Sequence, residues 1–213
     1  MPEQLLVTSH RYIEKYPIDR NAKKLILGTI HPHFHKEFEM DFFYGNELSI
    51  WRILHENFPT ELRDPSSVVD VINFLKQRQI AISDTVLKCE RLSPTALDKD
   101  LKILKYNSER LVRDIANSSI NEILCTSGFD KNNAFRIFYC EILNLRLTTE
   151  IRQNKIVELP SSIFGRPVRV RAIYSPSPSA NRGIGKSKGY KAVKHLMSTD
   201  QYRVKLYSQY FGQ

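Results

Sequence analysis

Cysteine is scarce in this chain. Cys89, Cys125 and Cys140 are odd in number, far apart and free of any Cys-x-x-Cys pair, which excludes a disulfide scaffold or a paired-thiolate metal knot and fits reduced thiols. Glycine is equally sparse, eight in 213 residues, and no segment is of low complexity, so extended disorder is not expected. Long apolar runs are missing. Stretches such as Leu25-Ile26-Leu27 are far too short to cross a bilayer, and no membrane partner is expected. The first residues lack a basic-then-apolar leader pattern, so a cytoplasmic location is expected.

Hydrophobic residues make up 41% of the chain, enough for one α/β domain with a real core. Charge is unevenly spread. Residues 166–213 hold ten Lys and Arg against Asp200 alone, a surplus equal to the +9 of the whole chain. A neutral body with one basic end reads as a footprint for a polyanion. Within that end, Val168–Tyr174 stops at Ser175-Pro176-Ser177-Pro178-Ser179. Two prolines forbid a continuing central strand or helix interior, and the hydroxyls form a rigid, anion-friendly ledge. The next stretch, Gly183–Lys191, reads as a flexible basic loop, with the last helices from about Tyr190 onward.

Hydrophobic patterning gives strands at Lys23–Gly28, Ile80–Ser83 (ending at Asp84) and Ile120–Cys125. Ile156–Leu159 and Val168–Tyr174 are expected to pair through the turn at Phe164–Pro167. Helical spacing predicts helices over about Glu47–Phe58, Val68–Lys76, the region of Leu111 and Ile115, and Lys131–Leu143. Strands alternating with helices imply a mostly parallel, covered sheet. Its ligands bind beyond the carboxyl ends of the strands. There Gly28–Pro32, Asp84, Thr126–Gly128 and Ser175–Ser179 are expected to converge.

Four motifs in this order carry a family resemblance: Gly28-Thr29-Ile30-His31-Pro32; Phe43-Tyr44-Gly45-Asn46 running into Ile50-Trp51-Arg52-Ile53-Leu54; Ile80 to Arg91; and Ser175 to Ser179. Together they resemble the uracil-DNA glycosylase superfamily, nearest to its mismatch-specific uracil/thymine and hypoxanthine branches. The resemblance covers about residues 23–195 of what is expected to be a single domain over 1–213. It implies a three-layer α/β/α sandwich around a mostly parallel sheet. It also implies hydrolysis of the N-glycosidic bond of a flipped base in duplex DNA by a monomer, without metal or organic cofactor. If the source is bacterial, the protein would be nucleoid-associated. His31, Asn46 and Ser49 would handle water or the sugar cation; Thr29, Ile30, Phe43, Tyr44 and Asp84 would hold the base. DNA would be gripped by Ser175, Ser177, Ser179, Asn181, Arg182, Lys186, Lys188 and Lys191, with Arg182 as the wedge left in the duplex.

The chain departs from that pattern at its chemical positions. His31 stands where Asp or Asn is common, and Ser175 where the most active members carry histidine. Asp84 falls where a base-reading asparagine would lie. An ionised aspartate only accepts hydrogen bonds, which suits a base presenting an amino group, such as a cytosine derivative. The competing structural role for Asp84 is a helix N-cap. Trp51 is expected in a helix core, and His33 and His35 on a loop surface or against phosphate. Two other readings stay open: a catalytically silent DNA-binding member, and a glycosylase used in defence against modified foreign DNA.

Overall fold

A computed structural model describes residues 6–33, 38–45, 49–92 and 97–212. The chain forms two compact units, Met1–Lys36 with Arg78–Ile173, and Glu37–Gln77 with Tyr174–Gln213.

The first unit is a mixed α/β body with two sheets. Strand β2 (Lys24–Gly28) runs parallel to β3 (Ile80–Asp84) and to β6 (Glu122–Cys125). β6 runs parallel to β8 (Val168–Ala172), and β7 (Ile156–Leu159) closes the edge antiparallel to β8. The order is β3-β2-β6-β8-β7. Leu25, Ile26 and Leu27 are all buried. Their unbroken apolar run is what a strand covered on both faces requires. Leu25 and Leu27 share a core with Ile123, Val168 and Val170 and with Leu111 and Ile115 of α3 (Ser108–Ala116). Helix α5 (Thr149–Asn154), N-capped by Thr148, leads into β7. The β7–β8 connection folds into one helical turn, α6 (Ser161–Phe164), ended by Gly165 at φ +75, a conformation glycine adopts without steric cost.

The second sheet is antiparallel, in the order β1-β4-β5, from Leu6–Ser9, Val86–Arg91 and Leu101–Tyr106. The sequence patterning does not announce it. β3 passes into β4 through Thr85 alone, whose N–H and hydroxyl both donate to Gly28 O. Asp84 is thus succeeded by a strand and caps no helix. The predicted helix at Lys131–Leu143 begins only at α4 (Ala134–Arg136), where the Ser127 hydroxyl accepts the Ala134 N–H (2.7 Å), and it widens into a π-turn over Ile137–Ile142.

The second unit is helical: α1 (Ser49–Asn57), α2 (Val68–Gln77), α7 (Asn181–Lys186), α8 (Lys188–Val193) and α9 (Thr199–Phe211). Trp51 is fully buried, and its indole N–H donates to Phe43 O (2.8 Å). It is core, as the helical spacing predicts. Asn57 ties α1 to α9 through Val204 O (3.0 Å), and Ser198 with Gln201 forms a capping box at the start of α9. The segment 183–191 is not the flexible loop its glycines suggest. It belongs to two short helices, the second N-capped by Ser187. A Cβ at Gly189 would run into the Tyr202 hydroxyl, which would have to shift.

Candidate active site

The parallel register pairs Gly28 with Asp84 and Leu27 with Cys125, so the chain leaves β2, β3 and β6 at one edge of the sheet. Ligands bind at such edges in open α/β sheets. Thr29, Asp84 and Thr126 are all buried there.

His10, from the segment after β1, reaches Asp84. Its Nδ1 accepts the backbone N–H groups of Tyr12 (3.1 Å) and Ile13 (3.3 Å). The ring hydrogen must then sit on Nε2, which donates to Asp84 Oδ2 at 2.8 Å. Both side chains are almost sealed from solvent, 1% and 7% exposed, so the pair is held in one geometry. Asn107 donates to the Asp84 backbone carbonyl (2.9 Å). Among the described residues no donor reaches Asp84 Oδ1.

His31 is buried beside this pair, with ring centroids 5.1 Å from His10 and 5.3 Å from Tyr12. Its Nδ1 lies 2.7 Å from Pro32 O. A ring nitrogen that close to a carbonyl donates, so the neutral ring carries its lone pair on Nε2. Arg91 steadies the loop, donating to His31 O (2.6 Å) and to Thr8 Oγ1 (3.1 Å). His33, half-buried, is engaged with the same Thr8 hydroxyl at 3.1 Å.

The β4–β5 connection adds a second carboxyl group. Thr29 Oγ1 donates to Asp98 Oδ2 at 3.0 Å. Asn132 fixes the backbone there through Asp98 O (3.1 Å) and Leu101 O (2.7 Å). Burial pushes the Asp98 pKa up to about 6. The Thr29 and Ser127 hydrogen bonds oppose the rise, the charge of Asp84 adds to it, and Arg91 works against it.

Thr29, His31 and Asp84 thus meet in the first unit. Ile30 is half-buried and packs against Val86, Cys89, Leu101 and Ile137. Asn46 and His35 lie outside the described residues, and Ser49 opens α1 with its side chain outside the description. In the second unit Phe43 is buried edge-on to Phe42. Tyr44 is half-buried in a left-handed conformation (φ 58).

The Ser-Pro turn holds itself together. Ser175 Oγ accepts the Ser177 N–H (3.2 Å), and Ser177 Oγ accepts both the N–H (3.4 Å) and the hydroxyl (3.2 Å) of Ser179. Ser177 O accepts from the buried Arg203 (2.8 Å), which also pairs with Asp200 and reaches Asn181 Oδ1 (3.3 Å). The basic end is therefore not one free footprint. Arg203 is structural. In the first unit Arg166 donates to Ile115 O (2.7 Å) and Ile120 O (2.8 Å), and Arg171 lies 3.7 Å from Glu122. Arg182, Lys186, Lys188, Lys191, Lys194 and Lys205 are exposed.

Sequence reasoning missed His10, Arg91, Asn107, Asp98 and Ser127 in their present roles. Asp98 sits in Leu97-Asp98-Lys99-Asp100, a charged run that reads as solvated surface. Among the described residues no His, Cys, Asp or Glu cluster could hold a metal ion, and no helix is long and apolar enough to cross a membrane.

No protein-family model matches this chain, and no curated protein matches it. A solution NMR structure from Methanosarcina acetivorans, itself only provisionally assigned as a uracil DNA glycosylase, is similar at 13% identity with a TM-score of 0.47. The match covers 86% of this chain and 92% of that chain. A likeness so distant says nothing of activity.

Proposed function

We propose that the protein is a monofunctional DNA base glycosylase that leaves an abasic site, built on a three-layer α/β/α fold. The observation that carries this reading is the polar cluster where β2, β3 and β6 end: Thr29, His31, Asp84 with His10, and Asp98. Cleaving an N-glycosidic bond builds positive charge on the sugar, which fixed carboxylates and dipoles stabilise. His31 is the first candidate to position the attacking water. Asn46 and Ser49 remain candidates for the same task.

Asp84 Oδ1 offers a fixed acceptor, which favours a base with an exocyclic amino group, such as a cytosine derivative. Thr29 and Ile30 would line the base site. Phe43 or Tyr44 would stack on the base. Arg182, Lys186, Lys188 and Lys191 would contact phosphates, with Ser175, Ser177, Ser179 and Asn181 shaping the turn beside them and Arg182 entering the duplex. Flipping the base costs a few kcal/mol, which these contacts would help offset.

Duplexes carrying uracil, hypoxanthine, mismatched thymine or modified cytosines, treated with hot alkali after incubation, test the proposal. Strand scission at one of these bases is expected. No scission with any of them, alongside tight binding, would leave the catalytically silent reading.

A further inference from the structure

We infer that Asp98 is the group that hands a proton to the departing base. The inference rests on the glycosylase reading of the same strand-end site and adds to it the acid that the loop after β2 lacks. Asp98 comes from the connection between β4 and β5, outside every motif that carries the family resemblance.

Three observations point to it. Its carboxyl is hydrogen-bonded to Thr29, a residue of the loop proposed to line the base site. It is held in place, because Thr29 bonds the side chain and Asn132 bonds the backbone. Among the described residues, the charged and titratable groups acting on it are Asp84 at the end of β3, Arg91 on β4, and the neutral Cys89 thiol on β4. Burial and the Asp84 charge favour the protonated carboxyl; Arg91 and the two hydroxyl donors favour the carboxylate. The balance lies at a pKa of about 6, so both forms are populated in mildly acidic to neutral solution. A carboxyl in that range can give up a proton in the transition state and regain it between turnovers.

In the proposed step the C1′–N bond breaks and its electron pair stays on the base nitrogen. The Asp98 O–H proton passes to the base, leaving the Asp98 carboxylate near the sugar cation. The water oxygen then bonds to C1′, its proton leaves to solvent, and solvent returns a proton to Asp98. One water is consumed and one neutral base is released.

The test is the pH profile of the single-turnover rate on whichever duplex the wild type cleaves, for wild type, Asp98→Asn and Thr29→Val, with melting and DNA binding measured alongside. Wild type should lose rate as pH rises through about 6. Asp98→Asn keeps the shape but has no proton to give. Its rate should fall by roughly 10²- to 10⁴-fold with the alkaline limb lost and DNA affinity kept. Thr29→Val removes a hydrogen bond that favours the carboxylate, so its alkaline limb should move to higher pH. An Asp98→Asn protein with the wild-type rate and profile, or a Thr29→Val limb that does not move, overturns the role of Asp98 while leaving the glycosylase reading intact. A wild type that releases no base from any duplex sinks both.

Discussion

His10 donates its Nε2 hydrogen to Asp84 Oδ2 across 74 residues of chain, and the backbone N–H groups of Tyr12 and Ile13 fix the tautomer that does so. The segment after β1 thereby helps form the candidate site. Replacing His10 by Ala leaves the buried Asp84 carboxyl without its donor. A loss of about 2–3 kcal/mol in unfolding free energy is expected in urea titration. A variant as stable as wild type would show that the pair contributes little.

Asp84→Asn keeps the size of the side chain and an oxygen for the His10 N–H, so melting should change little. It adds an amide donor where the aspartate only accepts. In competition assays the preference should shift away from amino-bearing bases and toward uracil. An unchanged preference would remove Asp84 from base reading.

Stability should carry the mark of Asp98. Its folded pKa of about 6 is raised above the ordinary value of 3.8. A carboxyl raised in this way contributes most below its unfolded pKa, and the contribution is lost as pH rises through the folded one. Between pH 4 and pH 7 the wild type should therefore lose about 2–3 kcal/mol relative to Asp98→Asn. Parallel denaturant titrations of the two proteins would read this difference, and a gap constant with pH would contradict the burial argument.

DNA affinity should depend on salt through the exposed cations of α7 and α8. If about five phosphates are contacted, log affinity should fall against log salt with a slope of about −4 to −5. Each single Ala replacement at Arg182, Lys186, Lys188 or Lys191 should flatten that slope by about 1. Arg203→Ala should behave differently. It removes the partner of Asp200 and the donor to Ser177 O, so it should lower the melting temperature rather than merely the slope. A slope unaffected by all four replacements would move the DNA contact elsewhere.

The main strands are legible because Leu25-Ile26-Leu27 and Ile80-Ala81-Ile82 are short β-rich apolar runs that end at Gly28 and Asp84, as strands of a covered sheet do. The antiparallel sheet is not. Thr85 alone separates β3 from β4, so no turn signal after Asp84 marks the start of another strand, and a register irregularity at Lys88 breaks the alternation. The glycines at 183, 185 and 189 suggested a loop. Tertiary packing overrides their low helix propensity, as the close approach of Tyr202 to Gly189 illustrates. Thr29, His31 and Asp84 stand out in the sequence because they follow predicted strands. His10 and Asp98 lie in segments without periodicity, and only the folded chain brings them to Asp84 and Thr29.

The most direct test is base release from the duplex panel. Purified full-length protein should liberate a free base from at least one modified duplex, leaving an alkali-labile abasic site, while Asp98→Asn should bind the same duplex and release at least about 100-fold less. Intact strands across the whole panel with wild-type protein that binds the duplexes would contradict the account.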